Sequence, residues 1–160
     1  MNTILYPTDF TADCEQTFLL ACSIARGESA ELIVLHVVSP ESCVEEYRDG
    51  DELNRDSEVF QSCWIQFERL RELADDIQIA FQVKVGRPVS VIVRVAQREC
   101  CDLIVLAAHQ HCFTHYQFHG SVSESVVRQA PCPVFCLRQS PVQQQPRRVL
   151  DGLKRQLQYS

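Results

Sequence analysis

DLIVLAAHQHCFTHYQFHGSVSESVVRQAPCPVFCLR, residues 102 to 138, decides the fold. Leu103 to Leu106 is a short apolar run suited to a buried strand, a polar loop follows, and a helix opens at Gly120-Ser121 with Val122, Val126 and Ala130 on one face. The chain then returns through a second apolar strand, Pro133 to Leu137. Such a unit sets bare backbone N–H groups and the positive end of a helix dipole at the mouth of a sheet, where a phosphate is stabilised.

The same alternation extends toward the N-terminus. Thr3 to Pro7 reads as a strand, and Thr11 is a candidate N-cap for a helix with Cys14, Phe18, Ala21, Cys22 and Ala25 inward, ended by Gly27. Leu32 to Val38, interrupted only by His36, has the continuous apolar character of a strand covered on both faces. An acidic irregular stretch from Pro40 to about Asn54 leads into Phe60, Cys63, Trp64, Phe67, Leu70 and Ala74 at helical spacing. Ile77, Ile79, Phe81, Val83 and Val85 alternate with mostly polar residues, as in a strand near a sheet edge. Gly86 and Pro88 open a helix with Val89, Ile92, Val93 and Ala96 on its predicted buried stripe. Five strands alternating with four helices predict a single α/β domain with an open parallel sheet and right-handed crossovers. Periodicity alone leaves the strand order open.

Composition bounds the function. The 160 residues are 46% hydrophobic and 22% charged, as in a soluble globular protein, and no apolar run approaches the roughly 20 residues that span a bilayer. Strand-like residues follow Met1 almost directly, so no secretory signal and a cytoplasmic location are expected. A formal charge of −6 argues against a nucleic-acid partner. Most of the nine cysteines are expected to be small buried apolar residues. After Arg138 a proline and glutamine linker, QSPVQQQP, leads into RRVLDGLKRQLQYS, a basic tail with a short apolar stripe interrupted by Gly152, giving a domain over 1–138 and an appendage over 139–160. No GxxxxGK[ST], GxGxxG or GxSxG motif is present, and no serine, histidine and acid set stands out, so no catalytic residues are assigned and no enzyme is expected. The receiver-domain alternative fails as well, since Val85-Gly86 and Leu137-Arg138 stand where it needs an aspartate and a lysine.

Taken together, ILYPTDFTADCEQTFLLACSIA, LIVLHVV, VKVGRPVSVIVRVAQRECCDLIVL and the stretch from Asp102 resemble the universal stress protein family over Met1 to about Arg138. The resemblance implies a Rossmann-like sheet of order 3-2-1-4-5 with helices on both faces, a stress-response role and a homodimer paired through the last strand, here Val134, Phe135 and Leu137. It also implies that Asp9 faces a nucleoside and that Val37 offers its backbone to adenine. Asp9 has a plainer reading, a carboxylate that caps the turn after the first strand. The family's phosphate loop falls on Ala107, Gln110, Gly120 and Ser121, with glycine lost at the first two positions and kept, with its serine, at the last. Glycine there lets backbone amides approach phosphate, so its loss predicts nucleotide binding that is weak or absent in a non-enzymatic binding or regulatory module. The alternatives are an ATP- or AMP-binding stress sensor and a metal-responsive module.

The metal alternative rests on one loop. His109, His111, Cys112, His115 and His119 crowd imidazoles and a thiol of the kind that bind zinc or copper, although they match no zinc-finger spacing and solvated loop histidines are the competing reading.

Overall fold

The computed structural model describes residues 1–11, 14–43, 45–108 and 122–138. Five parallel strands, β1 (Thr3–Pro7), β2 (Glu31–Val38), β3 (Ile79–Val85), β4 (Leu103–Ala108) and β5 (Val134–Arg138), form one sheet of order β3-β2-β1-β4-β5. Four helices alternate with them: α1 (Cys14–Glu28), α2 (Glu58–Arg71), α3 (Pro88–Arg98) and α4 (Val122–Gln129). The order expected from the family resemblance is the order observed. The residues expected to bind metal, with Gln110, Gly120, Ser121 and the 139–160 tail, lie outside the described residues.

Strand alternation divides the core into two layers. Ile4, Tyr6, Leu32, Val34 and Val105 pack beneath α1 and α2 against Phe18, Ala21, Cys22 and Phe67. Their strand neighbours Leu5, Ile33, Leu35, Ile104 and Leu106 face the other way, onto Val91, Ile92, Val95 and Ala96 of α3 and Val126 of α4. Phe18 is fully buried, and truncating it to alanine would cost about 3–5 kcal/mol.

Local chemistry sets the helix boundaries. The Ser57 hydroxyl accepts from the Phe60 N–H at 3.1 Å and starts α2, and Pro88 occupies the first turn of α3, where no intrahelical N–H bond is lost. α1 ends one residue beyond the predicted Gly27. The left-handed position that closes it belongs to Ser29, φ +53°, with Ala30 N–H bonded to Ala25 at 2.9 Å. α3 ends in the same way on Cys100, φ +49°, with Cys101 N–H bonded to Ala96 at 2.9 Å.

Three burial expectations are corrected. The buried stripe of α3 is Val91, Ile92, Val95 and Ala96, with Val93 only half-buried, because contacts with β2 and α4 choose among its many branched residues. Trp64 is 38% exposed, resting on Phe60, Phe67 and Phe81 at the layer's margin. Among the eight described cysteines, all free, Cys14, Cys22, Cys63 and Cys101 are buried, Cys43 and Cys132 half-buried, and Cys100 and Cys136 exposed, since the last four lie in connections or on the edge strand.

The connection between β2 and α2 covers part of the β3 edge. Gly50 N–H bonds to Val85 O at 2.7 Å, Val85 N–H to Asp51 O at 2.9 Å and Leu53 N–H to Val83 O at 3.0 Å, while Lys84 meets Glu52 at 2.9 Å. Beside it, the Asp49 carboxylate accepts from the Arg87 N–H at 2.8 Å, the Ser90 hydroxyl at 2.7 Å and Arg94 Nη2 at 3.1 Å. Asp49 thus caps α3 from across the fold. Gly86 has φ +145°, and a side chain there would collide with Asp49 and Val91. The opposite edge, β5, pairs among the described residues with β4 alone and carries Phe135 at 45% exposure.

Candidate functional site

The strand order reverses between β1 and β4, and the carboxyl ends of the strands there open into a cleft of about 340 Å³. Open α/β sheets bind their ligands at this switch point. β1 and its following loop supply Tyr6, Pro7, Thr8 and Asp9, β2 supplies Leu35 and Val37, and β4 supplies Leu106 and Ala107. Cys14 of α1, Pro88 and Ile92 of α3, and Val122 and Ser123 of α4 complete the wall. The size and the mainly apolar lining with a few polar groups suit a small organic ligand.

Asp9 stands on a tight turn. Its Oδ1 accepts from the Thr11 N–H at 3.0 Å and the Thr11 hydroxyl at 2.7 Å, so the capping role and the cleft position coexist in one carboxylate. Thr11, the expected N-cap of α1, donates its hydroxyl to Asp9, and its carbonyl accepts from the Cys14 N–H at 3.0 Å. Phe10 follows with φ +57°, its N–H bonded to the Thr8 hydroxyl at 3.1 Å. His36 Nδ1 lies 2.8 Å from the Thr8 carbonyl, and its ring packs on Phe10 with centroids 4.8 Å apart.

Three titratable groups at or beside the cleft, Tyr6, Cys14 and His36, are shifted toward their neutral forms. Burial pushes the Tyr6 phenol well above its ordinary value, and its hydroxyl donates to the Cys14 carbonyl at 2.9 Å. Burial likewise raises the Cys14 thiol and lowers the His36 imidazole. A thiol held protonated is a poor nucleophile. Among the described residues no group of three or more histidine, cysteine, aspartate or glutamate side chains could hold a metal ion, and no helix is long and apolar enough to cross a membrane.

Three of the six residues proposed for nucleotide contact, Asp9, Val37 and Ala107, therefore meet in one cleft. The sequence reading missed Tyr6, Cys14, Ile92, Leu106 and Ser123 as wall residues. It also took Val122 as a core position, whereas Val122 is 45% exposed on the cleft. Strand-end position was the available signal for Tyr6 and Leu106, because the last residues of adjacent parallel strands share one rim.

Fold and cleft together define a doubly wound α/β domain with a cleft at its switch point. The chain belongs to the universal stress protein family, whose model matches residues 1–138. It is similar to the universal stress protein MJ0577 of Methanocaldococcus jannaschii, 26% identical with 84% of this chain and 93% of the relative covered. A Thermus aquaticus universal stress protein, named for its position 3′ of a QAH/OAS sulfhydrylase, is 29% identical over 86% of this chain and 98% of its own. Among solved structures, a universal stress protein in complex with cAMP superposes with TM-score 0.64 at 20% identity, over 87% of this chain and 98% of that one. An Arabidopsis thaliana family member with AMP bound gives TM-score 0.60 at 14% identity, over 91% and 97%.

Proposed function

We propose that this protein is a non-enzymatic, cytoplasmic stress-response module whose cleft takes the nucleoside part of an adenine nucleotide with weak affinity. The observation that carries the reading is the meeting of Asp9, Val37 and Ala107 in one cleft at the switch point. Related folds holding cAMP and AMP support the ligand class. Ala107 and Gln110 replace the flexible half of the phosphate loop, so Gly120 and Ser121 are left as the phosphate contacts and affinity falls. The neutral Cys14 and His36 favour binding over turnover. The β5 edge, with Val134, Phe135 and Leu137, pairs with a second copy, residues 1–138 form the binding unit, and 139–160 is an appended basic tail.

Calorimetric titration with AMP, cAMP and ATP, with and without magnesium, tests the proposal. Dissociation constants of about 0.1–1 mM are expected, roughly 4–5.5 kcal/mol of binding. No binding at several millimolar nucleotide, or steady ATP turnover by the purified protein, refutes it.

A further inference from the structure

The turn that carries Asp9 is held in a conformation it would not adopt alone. Phe10 sits at φ +57°, a region that costs a bulky side chain about 1–3 kcal/mol and persists only where its surroundings enforce it. Beside the Thr8 N–H bond to the Leu35 carbonyl at 2.9 Å, two contacts from His36 of β2 hold it there. His36 Nδ1 is 2.8 Å from the Thr8 carbonyl, and its ring lies against the Phe10 ring. A carbonyl can only accept, so Nδ1 carries the proton. Burial keeps the ring below its ordinary pKa, which leaves a neutral donor fixed on the strand that also bears Val37.

We propose that His36 is the positioning residue of the cleft: its Nδ1–H and ring lock the turn from Thr8 to Thr11 so that Asp9 is presented to the nucleoside. This rests on the nucleotide reading above for its ligand, though not for its geometry. His36 does not line the cleft and acts through Asp9.

Three variants isolate the effect. His36→Leu keeps an apolar side chain and removes the donor. His36→Asn returns an N–H near the place of Nδ1. Asp9→Asn removes the charge at the site. In AMP titrations, His36→Leu should bind about tenfold more weakly and His36→Asn within about twofold of wild type, on the scale of one hydrogen bond. His36→Leu combined with Asp9→Asn should bind no more weakly than Asp9→Asn alone, since the two share one pathway. Independently of any ligand, amide exchange at Phe10 and Thr11 should quicken about tenfold in His36→Leu and not in His36→Asn. Wild-type AMP affinity retained in His36→Leu, multiplying effects in the double variant, or unchanged exchange at the two amides would each overturn the proposal. If the wild-type protein takes up no AMP, the nucleotide reading fails, and the exchange comparison decides the role of His36 by itself.

Discussion

Asp49→Ala should destabilise the fold by releasing the connection between β2 and α2 from the start of α3. Three donors lose the carboxylate, the Arg87 N–H, the Ser90 hydroxyl and Arg94 Nη2, while Arg94 Nη1 keeps the Asp49 main-chain carbonyl. The first contact is a helix cap made by a residue remote in sequence, and replacing a capping carboxylate with alanine costs about 0.5–2 kcal/mol. The half-exposed pair with Arg94 adds about 0–1 kcal/mol after solvent screening. The sum is about 0.5–3 kcal/mol, or a Tm lower by roughly 1–12 °C in a chain of this length. Asp49→Asn keeps an acceptor for the Arg87 N–H and should lose less than half as much. The effect also carries a pH signature. Hydrogen bonds from Arg87 and Ser90, then the Arg94 charge, hold the Asp49 carboxyl below its ordinary value. Its folded pKa is depressed, so its contribution is complete above the unfolded value of about 3.9 and disappears as pH falls through the folded one. Thermal and urea melts of wild type and Asp49→Asn at pH 7, 5 and 3 should therefore show a constant gap that shrinks only at the acid end. An Asp49→Ala protein melting within about 1 °C of wild type at pH 7 would refute this account of the connection.

Four further outcomes are expected. Gly86→Ala should cost about 2–4 kcal/mol by urea denaturation, because φ is +145° and a Cβ would meet Asp49 and lie 2.9 Å from Val91 Cγ2. Ser29→Gly and Cys100→Gly should each stabilise by about 0.5–1 kcal/mol, since both residues occupy left-handed helix ends where glycine is unstrained; a fall in Tm for both would contradict that. Ala107→Gly with Gln110→Gly should strengthen ATP binding by calorimetry, and equal affinities would show that glycine loss is not the limiting defect. Truncation after Arg138 should leave a dimer by light scattering while Phe135→Asp gives a monomer; a monomeric truncation would move the interface to the tail.

Much of this architecture is legible in one sequence because buried parallel strands announce themselves. LIVLHVV and DLIVLAA have few competing readings. The order of strands was not derivable from the pattern and came from motifs shared with a family. Helix phase was harder: PVSVIVRVA offers branched apolar residues on several faces, and only packing chooses Val91 and Val95 over Val93. The cleft was half legible. Asp9, Val37 and Ala107 follow from strand ends and family positions, but the support beneath Asp9 is a contact between His36 and a carbonyl 28 residues earlier, which no local pattern encodes. Asp49 escaped for the same reason, since an acidic stretch looks alike whether or not one member caps a helix 38 residues away.

The unequal edges of the sheet bear on how large an assembly can grow. A sheet with two open edges can accept a new strand at either side, and a molecule able to pair at both ends propagates into a fibre. Here residues 50–53 occupy the hydrogen-bonding groups of Val83 and Val85, so half of β3 has no vacancy for a newcomer. Among the described residues no second strand pairs with β5. A dimer paired through β5, as proposed above, would consume the same edge in both participants and stop at two, with the acidic connection blocking growth at the β3 edge as well as clamping α3.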